Sequence, residues 1–584
     1  MKALAYLSIP VLPFALLLTP LLLTAAAAPR LRLSMLLCVG GVLSLFLNMA
    51  VPVALHLLAV PIDAVRLGLV HAVLALIAVL AARAAGANRR TGRRGPRPPQ
   101  HALKDWLRAR AGADAAPVLL LCGGFALAVV PLTGLAGVDT YKWLDLATSV
   151  RVERAVPWLV HPLSLLGFTG RSYPSAQPLL MATVMILGHA GVEVSYYVVS
   201  VFSGGLGILA MHELGAAFLG AGRGGRWAAF LYGFSPVFVR YNHWATGRGL
   251  FLAVLPLLLL ALLRCPAGRA CLSAAALAAL LPLTHKTGIV ALPLVGASLL
   301  LAPVLRPPFE RAAVPVLAGL SAALALALAP RLGPLPWGPA AGFVRTGVTR
   351  FGWLLPLAGA GLLLGRGWFA PRNRRLFAAA LLSVPLAFPP SMYGALIALP
   401  FVALAAGKGV AALQNRVPIR SVTIALTLCG ALAILVNRSI TATPPRIRAA
   451  ARFLEQHDPE GPYRVVSPAW QAQIQGYVSG CPRFTVRSTG NSHAYFAAPP
   501  PLSRHPARLF RGLVAYSRHA FGVAGVNVAY YGRNPRYYFF TIDGAGRKPA
   551  DAVTIYNEDG IAIHAPAGQP RPAEQAPARR GIRP

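Results

Sequence analysis

Residues 137–177 read GVDTYKWLDLATSVRVERAVPWLVHPLSLLGFTGRSYPSAQ, a long polar segment that follows the hydrophobic run 117–136. The segment holds Asp139, Asp145 and Glu153, in a chain with only 17 acidic residues. It closes at Tyr173-Pro174, where a new apolar run begins. The rest of the chain is read outward from this stretch, as a scaffold that holds it at a membrane surface or supplies groups facing it.

Hydrophobic residues make up 56% of the 584-residue chain and charged residues 12%; the mean hydropathy is +0.59. Apolar runs long enough to cross a bilayer recur from Leu4 to about Val436. The expected fold class is therefore an α-helical polytopic membrane protein. It has about 14 transmembrane helices, with a soluble α/β domain at the C-terminus. The net charge of +38 does not mark a nucleic-acid partner. Most Lys and Arg lie in short loops between apolar runs, where they set orientation, and no recognition module is visible. The six cysteines form no CxxC pair, which argues against a zinc site or a disulfide framework.

Residues 1–86 form an N-terminal extension of three spans, 4–27, 33–60 and 65–83. Residues 87–114 are Pro-rich and strongly basic, and read as a cytoplasmic loop. A core of residues 115–436 follows. Its first span, 117–136, delivers the loop at 137–177 to the outer side. The apolar run 179–187 is too short to cross and reads as a re-entrant or surface-lying helix. Further spans are expected at 194–219, 227–240, 249–263, 270–284, 288–305, 312–330, 351–365, 376–389, 394–407 and 421–436. The alternate loops between them that fall inside are short and basic, as the positive-inside rule requires. Both termini then lie outside. Residues 437–565 form an extracytoplasmic α/β domain and 566–584 a disordered tail rich in Pro, Ala and Arg. Within the domain, Pro445–His457 is an amphipathic helix burying Ile447, Ala450, Ala451 and Leu454. Tyr463–Ser467 and Val526–Tyr531 read as strands, Ala507–Phe521 as a helix, and Val553–Tyr556 with Ile561–His564 as a hairpin.

The span interiors carry almost no ionisable groups, which disfavours a transporter. Polar residues gather instead on the outer face: Asp139, Lys142, Asp145, His243, Arg248, His285, Lys286, Arg345 and Arg350 among them. Few acids among many cations suit an anionic substrate handled with a general base.

Several segments then carry a resemblance. VDTYKWLDLATSVRVERAVPW followed by RSYPSAQPLLMATVMILG resembles the first outer loop of GT-C class polytopic glycosyltransferases, which include oligosaccharyltransferase catalytic subunits and protein mannosyltransferases. Residues 222–263, 280–295, 392–413, 446–468 and 521–531 are similar, in the same order, to later blocks of that class. The resemblance covers about residues 115–565. It implies transfer of a sugar from a polyprenyl-phosphate donor to a glycan, lipid or protein acceptor, at the outer face of the cytoplasmic (inner) membrane. Asp139 matches the acidic residue of the class, as a base for the acceptor or an orienter of it or of a metal ion. A divalent cation, Mg or Mn, is compatible with the class. Members that use one often carry a second acid where this chain has Tyr241 to Gly249 with none. An Arg often precedes the late span, where this chain has Ser391 and Met392. Arg248, His285, Lys286 and Arg345 are candidates to offset charge on the leaving phosphate, with His243 and Tyr173 as further substrate contacts and Asp145 as a second catalytic acid.

Each residue also has a plainer role. Asp139 suits the N-cap of a helix starting at Thr140, and Asp145 pairs with Lys142 at i, i+3. Arg248 can snorkel. His285 and Lys286 suit an interfacial span end, His243 with Trp244 an interfacial anchor, and Tyr173 a stacking position where the chain re-enters the membrane. Two other functions compete with transfer: a noncatalytic scaffold of envelope polysaccharide assembly, and a lipid or polymer transporter.

Overall fold

The computed structural model describes residues 12–87 apart from 13 and 28–30, and 115–129. It also describes 176–301 apart from 221–222, 245, 265–267 and 286, then 350–364, 373–383, 392–414, 444–457, 463–467 and 536–567 apart from 547. Isolated positions between 140 and 156 and between 424 and 431 complete the set.

Leu- and Ala-rich runs become helices because a helix satisfies all its backbone polar groups internally, as a hydrocarbon surround demands. A π-helical turn, Phe14–Leu18, leads into α1 (Thr19–Ala27), α2 (Leu33–Leu57) and α3 (Ala64–Ala87). Then come α4 (Ala115–Val129), α5 (Ala176–Leu187), α6 (Val192–Leu219), α7 (Arg223–Gly233), α8 (Pro236–His243) and α9 (Gly247–Arg264). The series continues with α10 (Gly268–Thr284), α11 (Thr287–Leu301), α12 (Leu354–Leu364), α13 (Arg374–Ser383) and α14 (Met392–Leu413). Among the described residues, 4 helices are long and apolar enough to cross a membrane: Leu33–His56, Glu193–Leu219, Gly247–Arg264 and Gly394–Leu413. Seven shorter apolar helices accompany them. Large apolar side chains face outward in stripes, as Val65, Leu69, Val73, Leu76 and Leu80 do along α3. Water would penalise such a stripe and lipid does not. The chain is a multi-pass membrane protein.

Two expectations change here. The run 179–187 is the helix α5, and all twelve of its residues are buried. It is an internal helix held against α2, α3 and α6, so of the two expected readings, re-entrant or surface-lying, the surface-lying one does not hold; its largely apolar surface, with Gln177 and Thr183 buried as well, packs on protein all round. The span expected at 227–240 is two helices. Pro236 starts α8 and Ser235 caps it, its Oγ accepting the Phe238 N–H at 3.2 Å. Proline is disfavoured inside a helix and favoured at its first position, so Ser-Pro here ends α7 and opens α8. The expected count of spans is not reproduced: 312–330 and most of 421–436 lie outside the described residues. The span interiors also hold more polar groups than expected. His71 is fully buried within α3, with no hydrogen-bond partner at either ring nitrogen among the described residues.

Helices α12 and α14 cross through two glycines. A Cβ at Gly361 would stand 1.8 Å from the Ala405 carbonyl oxygen, and one at Gly409 would stand 2.1 Å from that of Leu357. Small residues let backbones meet where lipid supplies no hydrophobic drive.

The C-terminal part is a mixed sheet ordered β1-β2-β4-β3, made of β1 (Tyr463–Val466), β2 (Arg536–Ile542), β3 (Ala552–Glu558) and β4 (Ile561–Pro566). β1 runs parallel to β2, and β4 pairs antiparallel with both β2 and β3. Helix α15 (Pro445–His457) packs on β3 and β4 with Ile447, Ala450, Ala451 and Leu454 buried, as its periodicity predicts. The expected hairpin is β3–β4, turning at Asp559-Gly560 with positive φ at both residues, the geometry that matches strand twist. Strand β2 was not expected from the sequence. The helix expected at 507–521 and the strand at 526–531 lie outside the described residues. Arg446 locks α15 to the sheet. Its guanidinium donates to both carboxylate oxygens of Asp543 at 2.7 and 2.8 Å and to the Asp559 carbonyl at 3.1 Å. That pairing holds the Asp543 carboxyl below its usual range.

His564 sits buried between strands, its Nε2 3.1 Å from the Thr541 hydroxyl and its Nδ1 2.9 Å from that of Thr554. Burial, with Lys548 nearby, pushes its pKa below the ordinary histidine value.

Gly361→Val is expected to cost about 1–3 kcal/mol by forcing α12 from α14, read as a lower thermal midpoint of the intact protein in detergent. Leu362→Ala, at a position 58% exposed on the same helix, should leave that midpoint nearly unchanged. For His564 the folded pKa lies below the unfolded one, so its stabilisation is complete above about pH 6.5 and is lost as pH falls through the folded pKa. Protection of the sheet from proteolysis in the intact chain should fall over that window, and His564→Gln should flatten the dependence.

Candidate functional site

The polar stretch is docked by a side chain that composition would place in lipid. Trp143 is 4% exposed. Its ring edge lies against Gly247 at the start of α9, where a Cβ would come within 3.3 Å of it and within 2.3 Å of the Thr284 carbonyl oxygen. One turn earlier, the Thr140 hydroxyl donates to the Trp244 carbonyl. Further along, the Arg154 carbonyl accepts from Ile62 N–H at 2.7 Å, and His56 Nδ1 accepts from Val156 N–H at 3.3 Å. The α2–α3 and α8–α9 turns thus hold Thr140, Trp143, Arg154 and Val156, and the end of α10 closes on Gly247 beside them. All four segments were expected on one membrane face, and the contacts join them. Helix α15 reaches that face too, with Arg452 Nη2 3.8 Å from Glu193 Oε1 at the start of α6. The opposite end gathers other groups. Ser34 Oγ donates to Glu213, and His212 Nδ1 stands 3.7 Å from the same carboxylate.

The segment Tyr241–Gly249 is shorter as a loop than expected. Tyr241 to His243 close α8 and Gly247 opens α9, leaving three residues between. Asn242 anchors the turn: its Nδ2 donates to the Phe238 carbonyl at 3.0 Å and its Oδ1 accepts from Ser203 at 2.7 Å. Gly249 makes room, since a Cβ there would stand 2.9 Å from that Oδ1.

On this frame His243 ends α8, Arg248 stands in the first turn of α9 and His285 follows α10, each packed on its own aromatic ring. Arg248 Cζ stands 5.1 Å over the Tyr241 ring, a cation–π contact. Arg350, half-buried, lies within electrostatic reach of the same phenol. Its cationic partner role was not anticipated, although the residue was expected on this face. His243 is buried edge-on to Tyr196 at 6.4 Å between ring centres. His285 is buried 6.2 Å from Phe251, and its Nδ1 accepts the Thr287 N–H at 3.1 Å. An accepting Nδ1 assigns the neutral ring's proton to Nε2. Two hydroxyls of these turns, on Thr246 and Thr287, are buried with no hydrogen-bond partner among the described residues. Sequence reasoning missed both; their only signal is adjacency to Arg248 and His285.

Asp139, Asp145, Tyr173, Lys286 and Arg345 lie outside the described residues. Among the described residues no three His, Cys, Asp or Glu side chains converge. A hard divalent cation needs oxygen ligands, and the acids of this stretch, Asp139, Asp145 and Glu153, lie outside the described residues. Chemically, Arg248 and Arg350 supply positive charge beside Tyr241, close to the turn on which Thr140 and Trp143 dock, and a guanidinium is a donor suited to phosphate oxygens.

No family model matches the chain, and no curated protein matches it. Among solved structures it is similar to an oligosaccharyltransferase from Archaeoglobus fulgidus in complex with Zn and sulfate. That alignment has 15% identity and a TM-score of 0.46, covering 73% of this chain and 68% of that one. A second structure of that enzyme, tethered to an acceptor peptide, aligns at 14% identity over 73% and 69% of the chains, with a TM-score of 0.43. ArnT from Cupriavidus metallidurans, bound to undecaprenyl phosphate, aligns at 12% identity over 78% and 98%, with a TM-score of 0.49. These are GT-C glycosyltransferases, the class that the sequence resembles; scores of this size assign no residue and no substrate.

Gly247→Leu is expected to expel Trp143 and free residues 140–151. The measurement is protease sensitivity within 137–177 in membranes, which should rise while cleavage of the sheet domain stays constant.

Proposed function

We propose that this chain is a GT-C-like membrane glycosyltransferase. In this reading it moves a sugar from a polyprenyl-phosphate-linked donor to a glycan, lipid or protein acceptor. The site opens on the outer face of the cytoplasmic membrane, and the domain at 437–565 lies on that side, after a core at 115–436 with its basic loop at 87–114.

The observation that supports this most is the docking of Thr140 and Trp143 against the α8–α9 turn, next to Arg248 in sequence, with the Thr284 carbonyl before His285 closing on Gly247. Asp139 is covalently next to Thr140. In the proposed reaction its carboxylate takes the acceptor's proton as the acceptor oxygen or nitrogen attacks the anomeric carbon. The bond from that carbon to the phosphate oxygen breaks, and its electron pair stays on the phosphate. Arg248, Arg350 and the Nε2–H of His285 offset the charge that builds there, assisted by Lys286 and Arg345. The hydroxyls of Thr246 and Thr287 are further donors at the same place. Attack from the side opposite the leaving group inverts the configuration. Asp145, Tyr173 and His243 keep orienting roles.

The test is sugar transfer by purified protein in native lipid, supplied with a panel of polyprenyl-phosphate sugars and a membrane extract as acceptor source. Wild type should transfer from one donor. Asp139→Asn should lose at least about 100-fold, and Arg248→Gln about 10²-fold in kcat, with thermal midpoints unchanged. Unaltered transfer by Asp139→Asn would remove that residue and turn attention to Asp145. A folded wild type silent with every donor and acceptor would favour the scaffold, and uptake of a labelled lipid without transfer would favour the transporter.

A further inference from the structure

A groove of about 1020 Å³ lies between the N-terminal helices and the α9–α10 pair. Three helices line it with stripes at helical spacing: Met35, Val39 and Phe46 from α2, Leu257 and Leu260 from α9, Leu277 and Leu280 from α10. Its polar lining collects at one end, with Arg264 at the last residue of α9, Ser273 early in α10 and Thr24 late in α1, whose buried hydroxyl donates to the Pro20 carbonyl at 2.7 Å. Helices α2 and α10 run away from that end and α9 runs toward it. Phe46, Leu257 and Leu283 therefore close the far end as an apolar tip. Ser273, Ala276 and Ala279 are exposed, as are Val39 and Phe46, so the groove opens sideways.

The dimensions select an occupant. Met35 to Phe46 spans eleven residues, about 16 Å of helix, half of a hydrocarbon core about 30 Å thick. A groove about 16 Å long, apolar along its length, with an exposed guanidinium at its polar end, has the shape and charge of one acyl chain below a phosphate. Glu213 lies within electrostatic reach of Arg264. That carboxylate is buried and engaged by Ser34 and His212, while the Arg264 side chain is exposed at the mouth.

We infer that this groove binds a bilayer phospholipid, with one acyl chain between α2, α9 and α10 and its phosphate on Arg264. The end marked by Arg264 is the one that gathers Ser34, His212 and Glu213, opposite the face that carries His285 and Arg248. The groove therefore serves a lipid of the other leaflet and cannot present a phosphate to the candidate site. The inference rests on the membrane fold alone and not on the proposed reaction.

The experiment is native mass spectrometry of the full chain, released from nanodiscs of phosphatidylglycerol and phosphatidylethanolamine with and without added polyprenyl phosphate. Wild type should retain one phospholipid. Arg264→Gln should weaken retention roughly fivefold, the attraction of one basic residue for an anionic lipid. Ala261→Trp, which fills the groove, should abolish it. If Ala261→Trp lowers the thermal midpoint, Ala279→Trp on the exposed wall of α10 takes its place. Equal retention by wild type, Arg264→Gln and a folded tryptophan variant would overturn the site. Displacement of the phospholipid by polyprenyl phosphate, lost in the tryptophan variant, would overturn its assignment to a bilayer lipid. Sugar transfer is read separately, and its presence or absence does not bear on this result.

Discussion

Trp143 can reach the bundle only because residue 247 has no side chain. The space for a Cβ there is taken on one side by the Thr284 carbonyl and on the other by the indole. That single close approach brings three sequence-distant segments together: the segment around Trp143, the start of α9 and the end of α10. Thr140 repeats the tie one turn away through the Trp244 carbonyl. The cations and imidazoles of the candidate site take their places from this junction, because Arg248 follows Gly247 and His285 follows Thr284 by one residue each.

A buried junction of this kind has to satisfy its backbone, since lipid offers no hydrogen bonds. The break at Ser235-Pro236 shows how. Ser235 donates to the Tyr232 carbonyl at the end of α7 and accepts from Phe238 N–H at the start of α8, and α8 then places Asn242 where Ser203 and Phe238 clamp it. A continuous helix from 227 to 240 would carry His243 and Arg248 in another direction. The same constraint appears at α12 and α14, where the glycines 361 and 409 replace hydrophobic drive by backbone proximity.

Much of the candidate site was legible as residue types. A polar segment rich in acids, facing loops that carry His243, Arg248 and His285, was visible because span parity puts all of them on one face. The contacts of Arg154 with Ile62 and of Val156 with His56 agree with that parity. Thr246 and Thr287 were not legible, because a threonine at a span end has no distinguishing neighbourhood until its burial is known. Arg350 gained its relation to Tyr241 only from packing. In the C-terminal part the helix 445–457 and the hairpin were readable from local periodicity and an Asp-Gly turn. Strand β2 was not. Its RYYFFTI run lacks polar alternation, and it pairs with β1 some seventy residues earlier in the chain.

The sequence by itself determined that the chain lives in a membrane and where the amphipathic helix and hairpin of the C-terminal part begin. These follow from apolar run length and from short-range periodicity, both of which act within a few turns of chain. Tertiary structure decided that residues 176–187 are enclosed rather than surface-lying, that α7 and α8 are separate, and that Trp143 meets Gly247. It also decided that an apolar groove ends at Arg264 on the opposite face. Those outcomes depend on the distance between backbones that are remote in sequence, and no local pattern encodes it.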